Sequence, residues 1–477
     1  MVAFTLRIGV DASPRRRNAP QDKEPAVIDS PAVSARYAPV TLSNVARAPE
    51  WSSLDADLRE AVEVVARVLP FRTNRYVMEE LIDWSRVPDD PIFQLTFPQR
   101  GMLEDAHYEE VRRLVQEGGD PAALKAAVAR IRRELNPHPA GQQTDNVPHI
   151  DGEPLPGAQH KYPKTLLFFP SQGQTCHAYC TFCFRWAQFV GEDDLRFRSN
   201  DVELLTRYLA EHEEISDLLF TGGDPMVMKS EIFRRYIDAI ISDPRLEHIQ
   251  TIRIGTKSLA YWPQRYVTDP DADDLLRTFE EIVSSGRTLS IMGHYSHGVE
   301  FSTPVAREAV RRVRSTGANI RMQSPVIRRV NDDPEVWQSM WREGVRLGCI
   351  PYYMFVERDT GARRYFELPL VRCWEIFREA YAGVSGIART VRGPSMSAWP
   401  GKVHIVGVRD VGDEPAFILQ YLQCRRPELV RQPFFAKFDP KATWFDQLEP
   451  LTEADAEMFP QRWEGSRNFV PLTIDEE

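Results

Sequence analysis

The stretch of sequence that decides the fold is QTCHAYCTFCFRW, residues 174–186. It spaces Cys176, Cys180 and Cys183 as Cys-x3-Cys-x2-Cys, shortly after the apolar run TLLFF at 165–169. The chain has six cysteines, so finding three of them within eight residues is far from a chance distribution. Three thiolates on one short loop can hold a [4Fe–4S] cube and leave its fourth iron without a protein ligand. The spacing therefore predicts an iron–sulfur cluster with one open iron.

The alternatives for this loop are a zinc site and buried structural thiols. Zinc usually takes four nitrogen or sulfur ligands, commonly from C-x2-C pairs. His177 could be a fourth ligand, but it is adjacent to Cys176 and therefore poorly placed. The spacing favours the cube. Its open iron could bind the amino and carboxylate groups of S-adenosylmethionine (SAM), and an electron from the cluster could then cleave a C–S bond to give an adenosyl radical.

The composition is that of an ordinary globular protein. The chain has 477 residues, of which 42% are hydrophobic and 27% charged, and its net charge is −10. These values exclude collagen-like, low-complexity and wholly disordered classes. The acidic balance argues against nucleic-acid or membrane binding as the main activity.

Nothing in the sequence predicts membrane insertion or export. No apolar run is long enough for a spanning helix, and Arg7 and Asp11 interrupt the N-terminal apolar residues, so no signal peptide is expected. We therefore expect a cytoplasmic, reducing location without disulfides. Cys349, Cys373 and Cys424 stand alone and are interpreted as ordinary buried thiols.

The N-terminal third divides into two regions. Residues 1–45 are rich in proline and charge without periodicity, and we expect them to be disordered. Residues 46–150 are predicted to form a helical N-terminal unit, with helices over 52–83 and 120–134. The second of these opens with Asp-Pro, a typical helix start.

From residue 151 to 410, short β-rich runs alternate with amphipathic helices, which is typical of βα units on a parallel sheet. The six predicted strands lie at 165–169, 216–222, 251–256, 289–295, 319–327 and 351–356. Six units favour an α/β fold with a partial (β/α)6 barrel over a closed eightfold barrel, and chemistry gathers at the carboxyl ends of such strands. Residues 411–477 show no clear pattern and are predicted to form an irregular C-terminal extension.

Eight motifs together resemble one family over residues 75–410. They are LNPHPAG (135–141), PGAQHKYP (156–163), CHAYCTFCFR (176–185), LLFTGGDP (218–225), RIGTKS (253–258) with PQR (263–265), HYSH (294–297), MQSPVIRRVND (322–332) and PYYMF (351–355). Their order and spacing resemble the lysine 2,3-aminomutase-like branch of the radical SAM superfamily. The resemblance implies a radical SAM partial (β/α)6 barrel that holds a [4Fe–4S] cluster and SAM.

The resemblance also implies which residues contact SAM. They are Thr221, Gly222, Gly223, Asp224, His294 and Gln323, with Arg253 and Lys257 as weaker candidates. Taken without the resemblance, a Gly-Gly-Asp run is most often a plain β-turn. A lone histidine or glutamine at a strand end is most often a satisfied polar residue beside the sheet.

The remaining implied roles concern the substrate and pyridoxal phosphate (PLP). Arg185 matches the arginine that clamps the substrate carboxylate, a task suited to its planar fork. Lys402 matches the lysine that forms a Schiff base with PLP, and Lys161 and Tyr162 match a pair that lies around PLP. Lys402 follows SMSAWPG, which has one glycine where the family has a longer glycine-rich stretch.

Two further departures concern the substrate and zinc. Lysine-specific members hold the distal amine with two carboxylates, whereas this chain has VERDTG (356–361) at one position and Ser395 at the other. Lysine is therefore doubtful as the substrate, and another amino acid or amine is equally compatible. The zinc cysteines of the family are absent from the C-terminal region.

The leading hypothesis is a radical SAM isomerase of the aminomutase type that uses PLP and an amino acid or amine substrate. One alternative is a PLP-independent radical SAM enzyme with another reaction. The other is a non-enzymatic iron–sulfur sensor or electron carrier, which the polar and glycine residues at several strand ends disfavour. We expect an electron donor such as flavodoxin or ferredoxin, and neither nucleic acid nor membrane as a partner. The sequence leaves a homo-oligomer open.

Overall fold

The computed structural model describes residues 37–116, 120–136, 146–190 and 197–460. Most of the segment expected to be disordered, residues 1–36, lies outside the described residues, as do 137–141 of the LNPHPAG motif and the end of the chain from 461. Residues 37–45 are ordered: strand β1 (Pro39–Thr41) pairs antiparallel with β2 (Arg72–Asn74). The expectation of disorder was therefore wrong for this part, because a distant strand supplies its backbone partners.

The N-terminal unit is helical, as predicted. Its helices are α1 (Pro49–Ser53), α2 (Ala56–Val68), α3 (Pro91–Thr96), α4 (Asp105–Gln116) and α5 (Pro121–Leu135), with a π-helical turn at Val77–Leu81. The single helix predicted over 52–83 is split, because the residue before a proline is disfavoured in helical conformation and α2 ends before Leu69 and Pro70. In α5 the Asp120 side chain accepts a hydrogen bond from the Ala122 amide, as expected for a helix cap.

One sheet of eleven strands organises the rest of the chain. After a small hairpin of β3 (His149–Ile150) and β4 (Glu153–Pro154), its strands are β5 (Ala158–Tyr162), β6 (Thr165–Phe168), β7 (Asp217–Phe220), β8 (Thr251–Thr256), β9 (Thr288–His294), β10 (Asn319–Val326), β11 (Ile350–Val356), β12 (Arg392–Ser397), β13 (Gly401–Val411), β14 (Glu414–Cys424) and β15 (Pro433–Lys437). They are hydrogen-bonded in chain order, and β6 to β12 are parallel. All six predicted strands are present, which confirms the α/β fold.

Helices connect the parallel strands. They are α6 (Val202–Glu211), α7 (Ser230–Ile241), α8 (Ser258–Tyr261), α9 (Ala272–Ser284), α10 (Pro304–Ser315), α11 (Pro334–Arg346), α12 (Arg363–Phe366) and α13 (Leu370–Ala382), and a short α14 (Glu453–Ala456) follows the last strand. On β8, Ile252 and Ile254 are fully buried on one face, whereas Arg253 on the other face is only half-buried. This alternation leaves one face of the sheet available for polar side chains. Among the described helices, none is both long and apolar enough to cross a membrane.

The prediction of an irregular C-terminal extension over 411–477 was wrong for residues 411–437. Residues 401–437 form β13, β14 and β15, which continue the sheet as antiparallel strands. Val403 and Ile405 are buried on β13, and Phe417 and Leu419 on β14. An unpaired edge at β12 would expose a row of backbone donors and acceptors, and these strands cover it. The predicted boundary at 410 falls inside β13.

Candidate active site

The cysteine loop follows β6 and is held in place by the N-terminal unit. The Arg72 guanidinium donates a hydrogen bond to the Cys176 carbonyl oxygen at 3.1 Å. The Tyr179 amide donates to the carbonyl of Arg72 at 2.8 Å, and the Thr181 amide donates to the carbonyl of Leu95 at 2.9 Å. The helical unit therefore forms one wall of the loop.

The three thiols of the loop are half-buried. Burial raises the pKa of Cys180 to about 12 and that of Cys183 to about 11. Burial also raises the pKa of Cys176, and the nearby Asp224, Cys183 and Cys180 raise it further, so the three thiols lie close together.

The donor set fits a cube better than a single ion. Among the described residues, no group of three His, Cys, Asp or Glu side chains is arranged to hold one metal ion. A cube binds each thiolate to a different iron and so needs a wider arrangement. Three soft thiolates on one loop fit a [4Fe–4S] cluster.

The predicted SAM contacts Thr221, Gly222, Gly223 and Asp224 form the turn after β7. Gly222 has a φ of +144°, and a Cβ there would lie 2.1 Å from the Gln174 Nε2 atom. A Cβ on Gly223 would lie 2.4 Å from the backbone oxygen of Thr175. Gly223 is thus required by close packing of this turn against the backbone at the start of the cysteine loop, and Gly222 by its positive φ, which other residues rarely adopt.

Asp224 is buried and its carboxylate accepts several hydrogen bonds within the chain. The donors are the Thr256 hydroxyl at 2.8 Å, the Lys257 amide at 2.9 Å, the His177 Nε2 atom at 3.0 Å and the Met226 amide at 3.0 Å. The carboxylate therefore joins the cysteine loop to the end of β8. A direct contact between Asp224 and SAM stays a prediction.

His294 and Gln323 lie side by side, at directly paired positions on β9 and β10. The Nε2 atom of His294 is buried without a hydrogen-bond partner among the described residues. The ring of Phe182, in the cysteine loop, lies 5.6 Å from the imidazole. Burial and the charge of Lys257 lower the pKa of His294 well below its ordinary value, so the ring is neutral. An unsatisfied buried nitrogen beside the cysteine loop is costly without a ligand, so this position fits SAM.

Arg185 stacks on two aromatic rings near the same loop. Its guanidinium carbon lies 4.4 Å from the ring centre of Phe169 and 5.0 Å from that of Phe184. Among the described residues, no carboxylate forms an ion pair with it. An arginine held by aromatic rings, with its fork free of acidic partners, can bind a carboxylate.

Lys402 is the second residue of β13 and pairs with Ser397 of β12, and its amine lies 4.1 Å from the ring centre of Tyr353. No hydrogen bond or ion pair of this amine occurs within the described part of the chain. Burial, followed by the charges of Arg253 and Arg392, lowers the pKa of Lys402 to about 7. A large fraction of the amine is therefore neutral near pH 7, the form that attacks an aldehyde.

Lys161 and Tyr162 lie at the end of β5, close to Lys402. The Lys161 amine donates to the carbonyl of Ala398 at 2.6 Å and lies 5.4 Å from the ring centre of Tyr162. Burial, followed by the charges of Arg425, Arg358 and Lys402, lowers the pKa of Lys161. Lys161 thus links β5 to the segment after β12, in a neighbourhood rich in cations.

The weaker candidates Arg253 and Lys257 have structural partners. The Arg253 Nε atom donates to the Asp217 carboxylate at 2.7 Å. The Lys257 amine forms a buried ion pair with Glu300 at 2.6 Å and lies close enough to lower the pKa of Cys180. Sequence reasoning missed Glu300, which no local motif marks.

The segment after β11, which the sequence left ambiguous, places Glu357 and Arg358 at the site. Glu357 is buried, and burial raises the pKa of its carboxyl well above the ordinary value. Arg358 lies over the rings of Phe184 and Trp444, each at 5.5 Å. Sequence reasoning did not assign a role to Arg358, although its position directly after a barrel strand was a usable signal.

No family model matches the chain. It is, however, 30% identical over 393 residues to a protein of Aquifex aeolicus (strain VF5) that carries the provisional name L-lysine 2,3-aminomutase, covering 82% of this chain and 91% of that protein. The chain belongs to the lysine 2,3-aminomutase-like branch of the radical SAM superfamily.

More distant similarity extends to enzymes of two substrate classes. The L-lysine 2,3-aminomutase of Bacillus subtilis (strain 168) is 26% identical over 51% of this chain and 48% of that enzyme. The glutamate 2,3-aminomutase of Clostridioides difficile (strain 630) is 26% identical over 48% of this chain and 50% of that enzyme. A solved radical S-adenosylmethionine methyltransferase from Kitasatospora setae gives a TM-score of 0.29 at 11% identity, over 52% of this chain and 49% of that chain.

Membership of the lysine 2,3-aminomutase-like branch makes the chain a radical SAM enzyme. The non-enzymatic sensor or electron carrier considered from the sequence is therefore excluded. The family implies the [4Fe–4S] cluster and SAM, and the cysteine loop and His294 fit both.

Proposed function

We propose that the chain is a 2,3-aminomutase that moves an amino group between adjacent carbons of an amino acid, with PLP bound through Lys402. The observation that carries the proposal is the Lys402 amine, which is unpaired among the described residues and has a pKa lowered to about 7. Lys402 is half-buried, whereas a lysine with only a structural role at a strand start would be exposed or ion-paired, because removing an unpaired amine from water costs free energy.

Other residues of the chain would hold the cluster and SAM. Cys176, Cys180 and Cys183 would hold the cluster, with His294 and Gln323 beside the SAM position. The cluster with SAM would supply radical chemistry at a substrate carbon, and PLP would supply the aldehyde that carries nitrogen.

Arg185 orients the amino acid through its carboxylate, and Tyr353 shields the Lys402 amine from water. A carboxylate held in the planar guanidinium fork has a fixed direction. The ring of Tyr353 covers one side of the amine at 4.1 Å, and burial with the charges of Arg253 and Arg392 favours its neutral form.

Because this chain lacks a glycine-rich loop before Lys402, the phosphate of PLP would need to be bound by positively charged side chains. The single glycine before Lys402, Gly401, is required by the sheet, since a Cβ there would lie 2.2 Å from the Gln423 backbone oxygen. Trp399 is covered by Arg425, whose guanidinium carbon lies 4.9 Å from the ring centre. Lys161 and Arg425 are therefore the residues that we propose for the phosphate.

Cofactor analysis after anaerobic purification tests the proposal. We expect PLP near one per chain, and borohydride should fix it to the peptide that contains Lys402. Lys402→Ala should lose PLP while keeping the iron, whereas Lys437→Ala, at an exposed lysine of β15, should keep both.

A wild-type protein that binds no PLP after reconstitution would contradict the proposal. It would leave the alternative of a PLP-independent radical SAM enzyme. As reductant we propose a small electron carrier of the flavodoxin or ferredoxin type, because the cluster must receive one electron for each SAM cleaved.

A further inference from the structure

We infer that the amino acid substrate carries a second negatively charged group, which Arg358 binds while Arg185 binds the first carboxylate. The inference rests on the proposed function and deepens it by naming an amino dicarboxylic acid as the substrate class.

Arg185 and Arg358 lie on the same aromatic ring. Their guanidinium carbons lie 5.0 Å and 5.5 Å from the ring centre of Phe184, which directly follows Cys183. Phe184 is 41% exposed, so the two arginines flank a site that is open to a small molecule. Two cations on one ring repel each other, and an anion bound by both would offset that repulsion.

Arg358 also has a hydrogen-bond donor that the chain leaves unsatisfied. Its Nε atom is buried and has no hydrogen-bond partner among the described residues. The carboxylate of the adjacent Asp359 forms an ion pair with Arg358 at 3.7 Å, which offsets part of its charge but is too long for a hydrogen bond to this atom. A buried charged donor without an acceptor costs free energy, and a ligand carboxylate would supply the acceptor.

A distal ammonium group has little to bind at the same place. Ser395, where lysine-specific members have an acid, is fully buried and its hydroxyl has no partner in the described chain. Glu357 is buried too, and burial raises the pKa of its carboxyl well above the ordinary value, which weakens it as a partner for an ammonium. The guanidinium of Arg425, which lies near Lys161, adds positive charge. The surroundings therefore favour a distal carboxylate over a distal ammonium.

Isosteric amino acids test the inference on the anaerobically reconstituted enzyme with SAM, PLP and a chemical reductant. L-Glutamate and L-glutamine have the same shape, but the side-chain carboxylate of glutamate is a neutral amide in glutamine. L-Aspartate and L-lysine extend the comparison. We expect rearranged products from an acidic amino acid, detected by mass spectrometry, with kcat/KM about 10- to 100-fold above that of the amide.

Arg358→Gln should raise KM for the acidic substrate about 10- to 100-fold and abolish the preference over the amide. Arg358→Lys keeps the charge but not the fork, and should restore part of the preference. Arg378→Gln, at an exposed arginine of α13, is the matched control and should behave as the wild type. Iron content, PLP content and thermal unfolding of each variant show whether it folds and holds its cofactors.

Three outcomes would overturn the inference. One is a wild-type preference for lysine or for a neutral amino acid. Another is an unchanged preference for the acid in Arg358→Gln. The third is loss of PLP from that variant with its preference intact, which would assign Arg358 to the phosphate. In each case PLP bound to Lys402 and amino migration would stand. A wild-type enzyme that holds no PLP and turns over no amino acid would instead overturn the proposed function, and the inference with it.

Discussion

Replacing Lys402 by methionine should stabilise the PLP-free protein at neutral pH, although it removes the amine proposed to bind PLP. Methionine is unbranched, of similar length and uncharged, so it can fill the same space. In the folded chain, burial with Arg253 and Arg392 nearby lowers the pKa of Lys402 from 10.5 to about 7. The unfolded chain regains the ordinary value.

The size of the effect follows from this pKa difference. Because the folded pKa is the lower one, the unfolded state binds more protons between pH 7 and pH 10.5, and stability rises with pH across that window. Burying the amine then costs about 4 kcal/mol at pH 7 and about 2 kcal/mol at pH 9, and almost nothing above the unfolded pKa. The contact of the charged amine with the Tyr353 ring, about 0.5–2 kcal/mol, reduces the gain at the acidic end.

Urea unfolding of the PLP-free wild type and Lys402→Met at several pH values between 7 and 10 measures this difference. The gain in free energy of unfolding should be largest near pH 7 and should shrink as the pH rises. Lys437→Met, at an exposed lysine that pairs with Glu449 at 3.0 Å, should show no such trend. A Lys402→Met variant that is less stable at pH 7, or whose gain does not depend on pH, would refute the reasoning.

Three further changes test the site. Cys180→Ala should lose the cluster, measured as iron per chain, while Cys349→Ala keeps it, because Cys349 is buried away from the loop; equal losses would contradict the assignment. Asp224→Asn replaces one acceptor oxygen by an NH2 donor, which would then face a donor, either His177 Nε2 or a backbone amide such as that of Met226. The free energy of unfolding should fall by about 2–4 kcal/mol, and the protein should retain less iron. An unchanged urea unfolding curve would count against this structural role of Asp224. Arg185→Lys keeps the charge but loses the planar guanidinium that binds a carboxylate through two hydrogen bonds. Steady-state kinetics should therefore show a KM for the substrate raised about 10-fold or more, while SAM cleavage persists. Kinetics equal to the wild type would contradict the proposal that Arg185 binds the substrate carboxylate.

The features that sequence predicted well depend on neighbours along the chain. Six of the seven parallel strands, β6 to β11, were visible because each is a short apolar run between amphipathic helices, whereas β12 was missed. The cap of α5 was visible because Asp120 and Pro121 are adjacent. Pro70 should have divided the helix predicted over 52–83, since its effect on the preceding residue is local as well.

The features that sequence missed depend on contacts between distant segments. The strand β1 is paired by residues more than thirty positions away, from Pro39 to Asn74, and β13 to β15 are stabilised by the open edge of β12. Their own residues carry too weak a pattern, because pairing across a sheet is set by the partner strand.

By itself the sequence determined the α/β fold and the family and predicted the cluster ligands, because the βα alternation, the motifs and the cysteine spacing are all present in consecutive residues. Only the tertiary structure decided that the Asp224 carboxylate accepts hydrogen bonds from His177 and from the end of β8. It also decided that the His294 Nε2 atom has no hydrogen-bond partner among the described residues and that the pKa of the Lys402 amine is lowered to about 7. Hydrogen-bond partners and pKa values depend on burial and on charges brought together from separate strands. No spacing along one chain segment encodes them.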